Sequence, residues 1–205
     1  MAQATAAHHG EHEATTTGLN NRKMLMWAFL GSDCMFFGSF IATYLVYKNK
    51  SLVGPFPEDV FSIPVTSVST FVLLMSSMSM VLAYSALTRG NIKVFRVWLA
   101  STIILGMTFL AFQTFEFRDF ITEGLTPRTN LFGSTFFSLT GFHGAHVTIG
   151  VIWLLSIFFY SFKRGAVTPE RNLDLDIAAL YWHFVDVVWI VIFTVVYLFG
   201  VFGGF

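Results

Sequence analysis

Apolar residues in this chain come in long unbroken runs, with neither the two-residue rhythm of a half-buried strand nor the one-sided stripe of a surface helix. Five runs stand out, at about 24–47, 62–88, 96–117, 133–162 and 176–201. Asp33 and Asp186 are the charges well inside them; Arg96, Glu116 and Asp176 sit at run ends. About 20 apolar residues suffice for one helical crossing of a bilayer. In lipid each backbone N–H and C=O must be paired within its own segment, so each run is read as a helix. The pattern predicts an all-α fold: a polytopic membrane bundle of five transmembrane helices.

Local signals refine this. The fourth apolar stretch, Thr129–Phe162, is overlong for one straight crossing, and its first residues, Thr129–Ser134, are expected to form a lead-in on the membrane surface. Pro64 stands near the start of the second run, where a missing N–H costs least. The connection from Lys48 to Asp59 carries Gly54, Pro55 and Pro57 and reads as turn-rich; Arg89–Arg96 is a tight link. No connection is long enough for an extramembrane domain, so 24–205 is expected to be one transmembrane domain. Residues 1–23 are polar and are expected to form a flexible tail, without the basic-then-apolar pattern of a removable signal peptide. His8, His9 and His12 there are a weak metal lure at most.

Basic residues give a direction. The side of the N-terminus holds Arg22, Lys23, Arg89, Lys93, Arg96, Lys163, Arg164 and Arg171; the other holds Lys48, Lys50, Arg118 and Arg128. The positive-inside rule places the N-terminus in the cytoplasm and the C-terminus outside. Small residues mark expected packing faces: Gly31, Gly38 and Ala42; Ser76, Ser79 and Ala83; Gly141 and Ala145.

Composition agrees with a lipid solvent. Hydrophobic types make up 55% of the 205 residues and charged types 12%, about half the charged share of soluble domains. The net charge of zero offers no basic surface for nucleic acid. One cysteine, Cys34, excludes an internal disulfide and any multi-cysteine metal site.

The candidate chemistry lies in Asp33, Glu116, His143, His146, His183 and Asp186. Ionisable groups inside a span are costly unless paired, neutral or hydrated. His143 and His146 are three apart and share a helix face, as do His183 and Asp186. Three readings follow from spacing: ligation of a heme or metal pair, a proton or ion relay, or interhelical ties that hold the bundle in register. Ligation is short of histidines, and a relay lacks a continuous line of acids, so the third reading carries most weight.

Four blocks then point to a family. They are Ser32-Asp33-Cys34-Met35-Phe36-Phe37, Gln113-x-x-Glu116, Gly133-Ser134-Thr135-Phe136-Phe137 leading into Thr140-Gly141-Phe142-His143-Gly144-Ala145-His146-Val147, and Tyr181-Trp182-His183-Phe184-Val185-Asp186-Val187-Val188-Trp189. In order and spacing, from about Met24 onward, the chain resembles subunit III of heme-copper terminal oxidases, in a short five-helix bacterial form. The resemblance implies an accessory subunit of a proton-pumping cytochrome c or quinol oxidase in the bacterial cytoplasmic membrane. It implies no catalytic residue and no heme or metal in this chain, those cofactors lying in partner subunits. It also implies direct packing on subunit I, subunits II and IV in the same complex, bound phospholipid, and support for proton uptake. Under it, Asp33, Glu116, His143, His146, His183 and Asp186 become bundle-fixing groups. Lys163 and Arg164 are candidate lipid-headgroup contacts on charge and depth. The chain departs from the family where many relatives have seven helices, and where the first-span acid is usually Glu rather than Asp33. Two other readings stay beside it: a standalone heme- or metal-binding membrane oxidoreductase, and a subunit III-like partner of a nitric oxide reductase.

Overall fold

The computed structural model describes residues 20–48, 50, 62–163, 167–169 and 172–202, and among them every regular element is helical. Helix α1 spans Asn21–Tyr47, α2 Ile63–Thr88, α3 Ile92–Thr122, α4 Leu131–Tyr160 and α5 Leu173–Ile192. The last continues through a π-helical segment, Phe193–Leu198, and a final turn, Phe199–Phe202. All five helices are long and apolar enough to cross a membrane, as the runs predict.

The ends are set by capping chemistry. The Asn20 side chain accepts from Arg22 N at 3.0 Å and starts α1 three residues before the apolar run, so Arg22 and Lys23 belong to the helix and not to a tail. Residues 1–19 lie outside the described part. Asn130 accepts from Gly133 N at 2.7 Å and starts α4 directly. The expected surface lead-in is thus corrected: Leu131–Ser134 are its first turn, and a strong cap outweighs the excess length. Helix α3 runs past the apolar segment at both ends, taking in Lys93 at one and Asp119 at the other. Between α2 and α3, Gly90 adopts φ 76°, and Asn91 N donates to Ala86 O at 3.0 Å. That closes α2 with a left-handed residue only glycine adopts cheaply, and the Asn91 side chain caps α3 at once by accepting from Val94 N.

Helices α4 and α5 form the central pair. Helix α3 packs on α4, α2 packs on α3 and α5, and α1 lies across α4 and α5. The core is aromatic and large: Trp182, Trp189, Tyr44, Tyr197, Phe95, Phe109 and Phe136 are all buried. Outward faces carry apolar side chains instead of charges, such as Met35, Phe115 and Phe159, as a lipid-facing surface requires.

Helices α1 and α5 are parallel and are tied at both ends. At their N-termini Arg22 pairs with Asp174 and Lys23 with Asp176, each at 2.6 Å. The two aspartates occupy the first turn of α5, where its dipole favours negative charge. At the other end Tyr44 Oη donates to Val196 O at 3.4 Å and Lys48 Nζ to Phe199 O at 2.8 Å. These carbonyls lie in and just beyond the π-helical segment. Arg96 serves α4 similarly: its guanidinium donates to the Ser161 carbonyl and hydroxyl and lies over Phe162.

The expected packing faces divide. Ser76, Ser79 and Ala83 are buried. Gly31, Gly38, Ala42 and Ala145 are exposed, and a methyl at Gly31, Gly38 or Gly141 would meet nothing within 4 Å. The glycines that admit a close neighbour are Gly106, Gly133, Gly144 and Gly150. A small-residue spacing rule registers smallness and period but not which side of a helix the rest of the chain will choose.

Candidate functional site

The six acids and histidines inside the spans fall into three groups, each across a contact between helices.

The first joins α1, α4 and α5. Asp33 Oδ2 lies 3.7 Å from His146 Nε2. His146 Nδ1 stands 2.7 Å from the Phe142 carbonyl; a carbonyl only accepts, so Nδ1 carries the hydrogen. Tyr181 Oη donates to the His146 carbonyl at 3.0 Å. The Phe37 ring stands edge-on to His146, centroids 5.0 Å apart. The polar atoms of three helices therefore meet around one residue of α4.

The second lies in the centre. His143 is fully buried, stacked on Trp189 with centroids 4.9 Å apart and planes 27° apart, and Phe109 meets it edge-on. Neither imidazole nitrogen has a hydrogen-bond partner among the described residues; the ring serves as an aromatic plate. Trp189 Nε1 donates to Thr70 Oγ1 at 3.0 Å, and Thr70 Oγ1 donates to Thr66 O at 2.7 Å. Thr66 Oγ1 donates to Glu116 Oε1 at 2.5 Å. Nearby, Gln113 Nε2 donates to Thr140 O at 2.9 Å, and a methyl on Gly144 would stand 2.9 Å from Gln113 Oε1.

The third joins α2 and α5. Ser77 Oγ lies 2.6 Å from His183 Nδ1 and also faces the Asp186 carboxyl. From the adjacent positions, Trp182 Nε1 donates to Ser76 Oγ at 3.1 Å.

The spacing pairs His143 with His146, yet their surroundings differ: one is sealed among aromatic rings, the other is half-buried against Asp33. Asp33, Glu116 and Asp186 are buried and His183 is half-buried. Among the described residues no three His, Cys, Asp or Glu side chains converge as a metal site would need, and Cys34 is exposed. Lys163 is exposed just beyond the end of α4; Arg164 lies outside the described residues.

Sequence reasoning overlooked the partners of these groups. Thr66, Thr70 and Ser77 of α2, with Gln113, Tyr181 and the two tryptophans, complete the contacts. The signal was present: hydroxyls at 66, 69, 70, 76, 77 and 79 recur at helical spacing in a run without charge. Read as small residues alone, they lose their donors and acceptors.

The chain as a whole matches a recognised family. The sequence profile described as Cytochrome c oxidase subunit III matches residues 2–201. The chain is 39% identical over 193 residues to the cytochrome c oxidase subunit 3 of Bacillus sp. (strain PS3), covering 94% of this chain and 92% of that one. It is 39% identical over 204 residues to the quinol oxidase subunit 3 of Bacillus subtilis (strain 168), covering 97% and 98%. With the cytochrome bo(3) ubiquinol oxidase subunit 3 of Pseudomonas aeruginosa the identity is 37% over 200 residues, covering 98% and 95%. Five membrane-length helices carrying these blocks, and matches along nearly the whole length, lead to one conclusion: this chain belongs to the cytochrome c oxidase subunit III family.

Proposed function

We propose that this multi-pass membrane protein is the accessory, non-redox subunit III of a proton-pumping heme-copper oxidase in a bacterial cytoplasmic membrane. It packs directly on subunit I, with subunits II and IV in the same assembly, and stabilises subunit I during turnover. It supports proton uptake and contacts phospholipid, with Lys163 and Arg164 as headgroup partners. The N-terminus faces the cytoplasm. Heme and copper belong to the partners, and this chain catalyses nothing alone.

One observation carries the reading. The acids and histidines meet helix partners one by one: Asp33 faces His146, Glu116 accepts from Thr66, His183 meets Ser77, and His143 stacks on Trp189. Groups spent on separate helix contacts act as ties of a bundle, where a ligand set would converge on one point.

The test uses the purified oxidase. Removing this chain under mild detergent should leave heme and copper content with the remaining subunits, while oxygen reduction decays faster over successive turnovers. A Soret band or stoichiometric metal that stays with the separated chain would overturn the reading in favour of a standalone oxidoreductase.

A further inference from the structure

Beside α1, helix α5 turns one strip toward the membrane, in a groove of about 350 Å³. Trp27, Gly31 and Cys34 of α1 and Leu180, His183 and Val187 of α5 line it. His183 brings a strongly polar ring to this wall. Its Nδ1 lies 2.6 Å from Ser77 Oγ of α2, and its Nε2 has no hydrogen-bond partner among the described residues. The cluster behind the ring has no bond to spare for it. Ser77 is shared with Asp186, which is itself buried with Oδ1 unpartnered among the described residues.

Depth selects the occupant. At the usual helical rise His183 stands about 15 Å from the start of α5, and Ser77 about 16 Å from the end of α2. Both lie near the middle of a hydrocarbon core ~30 Å thick. A polar atom left unpaired there costs free energy. Acyl chains carry no hydrogen-bonding group, and headgroups lie a leaflet away, so lipid leaves Nε2 unpaired. A transmembrane helix can bring a polar side chain to this depth. We propose that the groove between α1 and α5 receives a transmembrane helix of another oxidase subunit, which sets a hydroxyl or carboxamide side chain against His183 Nε2. Both groups donate and accept, so they suit either imidazole tautomer. Gly31 gives the incoming backbone room: a methyl there would meet nothing of this chain within 4 Å, and small residues let membrane helices approach closely. A second copy of this chain does not fit. A two-fold contact sets one patch against itself, and no residue lining this patch carries a hydroxyl or carboxamide. The inference rests on the reading of the chain as an oxidase subunit, and adds which face engages a neighbour and by what chemistry.

The experiment uses the intact oxidase complex in nanodiscs, with a photoreactive phenylalanine analogue in place of the exposed Val187. Illumination should join this chain to a transmembrane segment of another subunit, and mass spectrometry should place the link beside a Ser, Thr, Asn or Gln near mid-span. His183→Phe should lower the yield several-fold, whereas His183→Gln, which keeps a polar group, should largely preserve it. Gly31→Leu leaves the Ser77–His183–Asp186 cluster untouched and fills the groove, so it should also lower the yield several-fold without lowering the thermal stability of the separated chain. Links to lipid alone, to a second copy of this chain, or to a segment without such a side chain would overturn the proposal. So would a yield that survives His183→Phe or Gly31→Leu, or one that falls equally in His183→Phe and His183→Gln. Heme content and subunit stoichiometry, measured on the same samples, report separately on membership of the oxidase: a chain that stays in the complex but gives no link at Val187 refutes the docking face and leaves the membership standing.

Discussion

The Trp182 indole occupies the space that a side chain on Gly106 would need: a methyl there would stand 2.7 Å from Trp182 Cη2 and 3.1 Å from a Val151 methyl. Gly150 offers the same ring its other flat place, 3.0 Å from Cε3 and Cζ3. One tryptophan of α5 is thereby held between α3 and α4, with its indole N–H spent on Ser76 of α2. Four helices are fixed by one side chain.

Gly106→Ala should destabilise the subunit by about 1–3 kcal/mol, the usual cost of overpacking a tight interior. Gly141→Ala is the control, since nothing lies within 4 Å of its added methyl; it should be neutral or slightly stabilising, because alanine favours helix over glycine. Thermal dissociation of the subunit from the purified complex measures both. Equal effects would show that Trp182 does not depend on the gap.

Trp189 and Thr70 should couple. In a double-mutant cycle of Trp189→Phe and Thr70→Val, the interaction energy should be about 0.6 kcal/mol and no more than about 1.7, the range for hydrogen bonds between membrane helices. Detergent-driven unfolding gives the four corners of the cycle. Strict additivity would mean that the 3.0 Å contact contributes no net stability.

The two ion pairs at the start of α1 should differ. Lys23 and Asp176 are about one-third and one-quarter exposed, whereas Arg22 and Asp174 are each nearly two-thirds exposed. Each pair should be worth less than about 1 kcal/mol, with water and salt screening the second more. Lys23→Ala should therefore cost more than Arg22→Ala, and a Lys23→Asp, Asp176→Lys exchange should recover stability that either change alone loses. The comparison is made by unfolding at low and high salt.

Topology can be read chemically. In a Cys34→Ser background, Glu123→Cys in the α3–α4 connection should react with an impermeant maleimide added outside intact cells. Arg89→Cys, in the α2–α3 turn, should react only after permeabilisation. The reverse pattern would invert the orientation that the basic residues imply.

The five spans were legible because lipid imposes a single requirement, an apolar and internally hydrogen-bonded segment, and composition alone reveals it. Helix ends were less legible. Asn20 and Asn130 move the starts of α1 and α4 through one side-chain acceptor each, a local effect that a hydropathy run averages away. At the polar groups the residues could be named but their companions could not. His143 and His146 differ by less than one turn, yet one meets Trp189 and the other Asp33. Which neighbour a face receives is decided by packing between helices far apart in sequence. Helical spacing carries the face of His183 and Asp186 on through Ile190, Phe193 and Tyr197, and the same limit holds there, for Ile190 is exposed and Tyr197 is buried.

Beyond Ile190 the same helix passes through the six π-helical residues Phe193–Leu198. A π turn takes in one residue more than an α turn, so it acts as a phase slip of about 100° in the direction of every later side chain. Deleting one residue from 193–198 would restore a regular helix and swing its end around the axis, carrying the Phe199 carbonyl away from Lys48. The segment thus works like the offset tooth of a key: α1 and α5 engage at one rotation as well as at one depth, and a helix of equal length and equal hydropathy but ordinary pitch would not turn in the same lock.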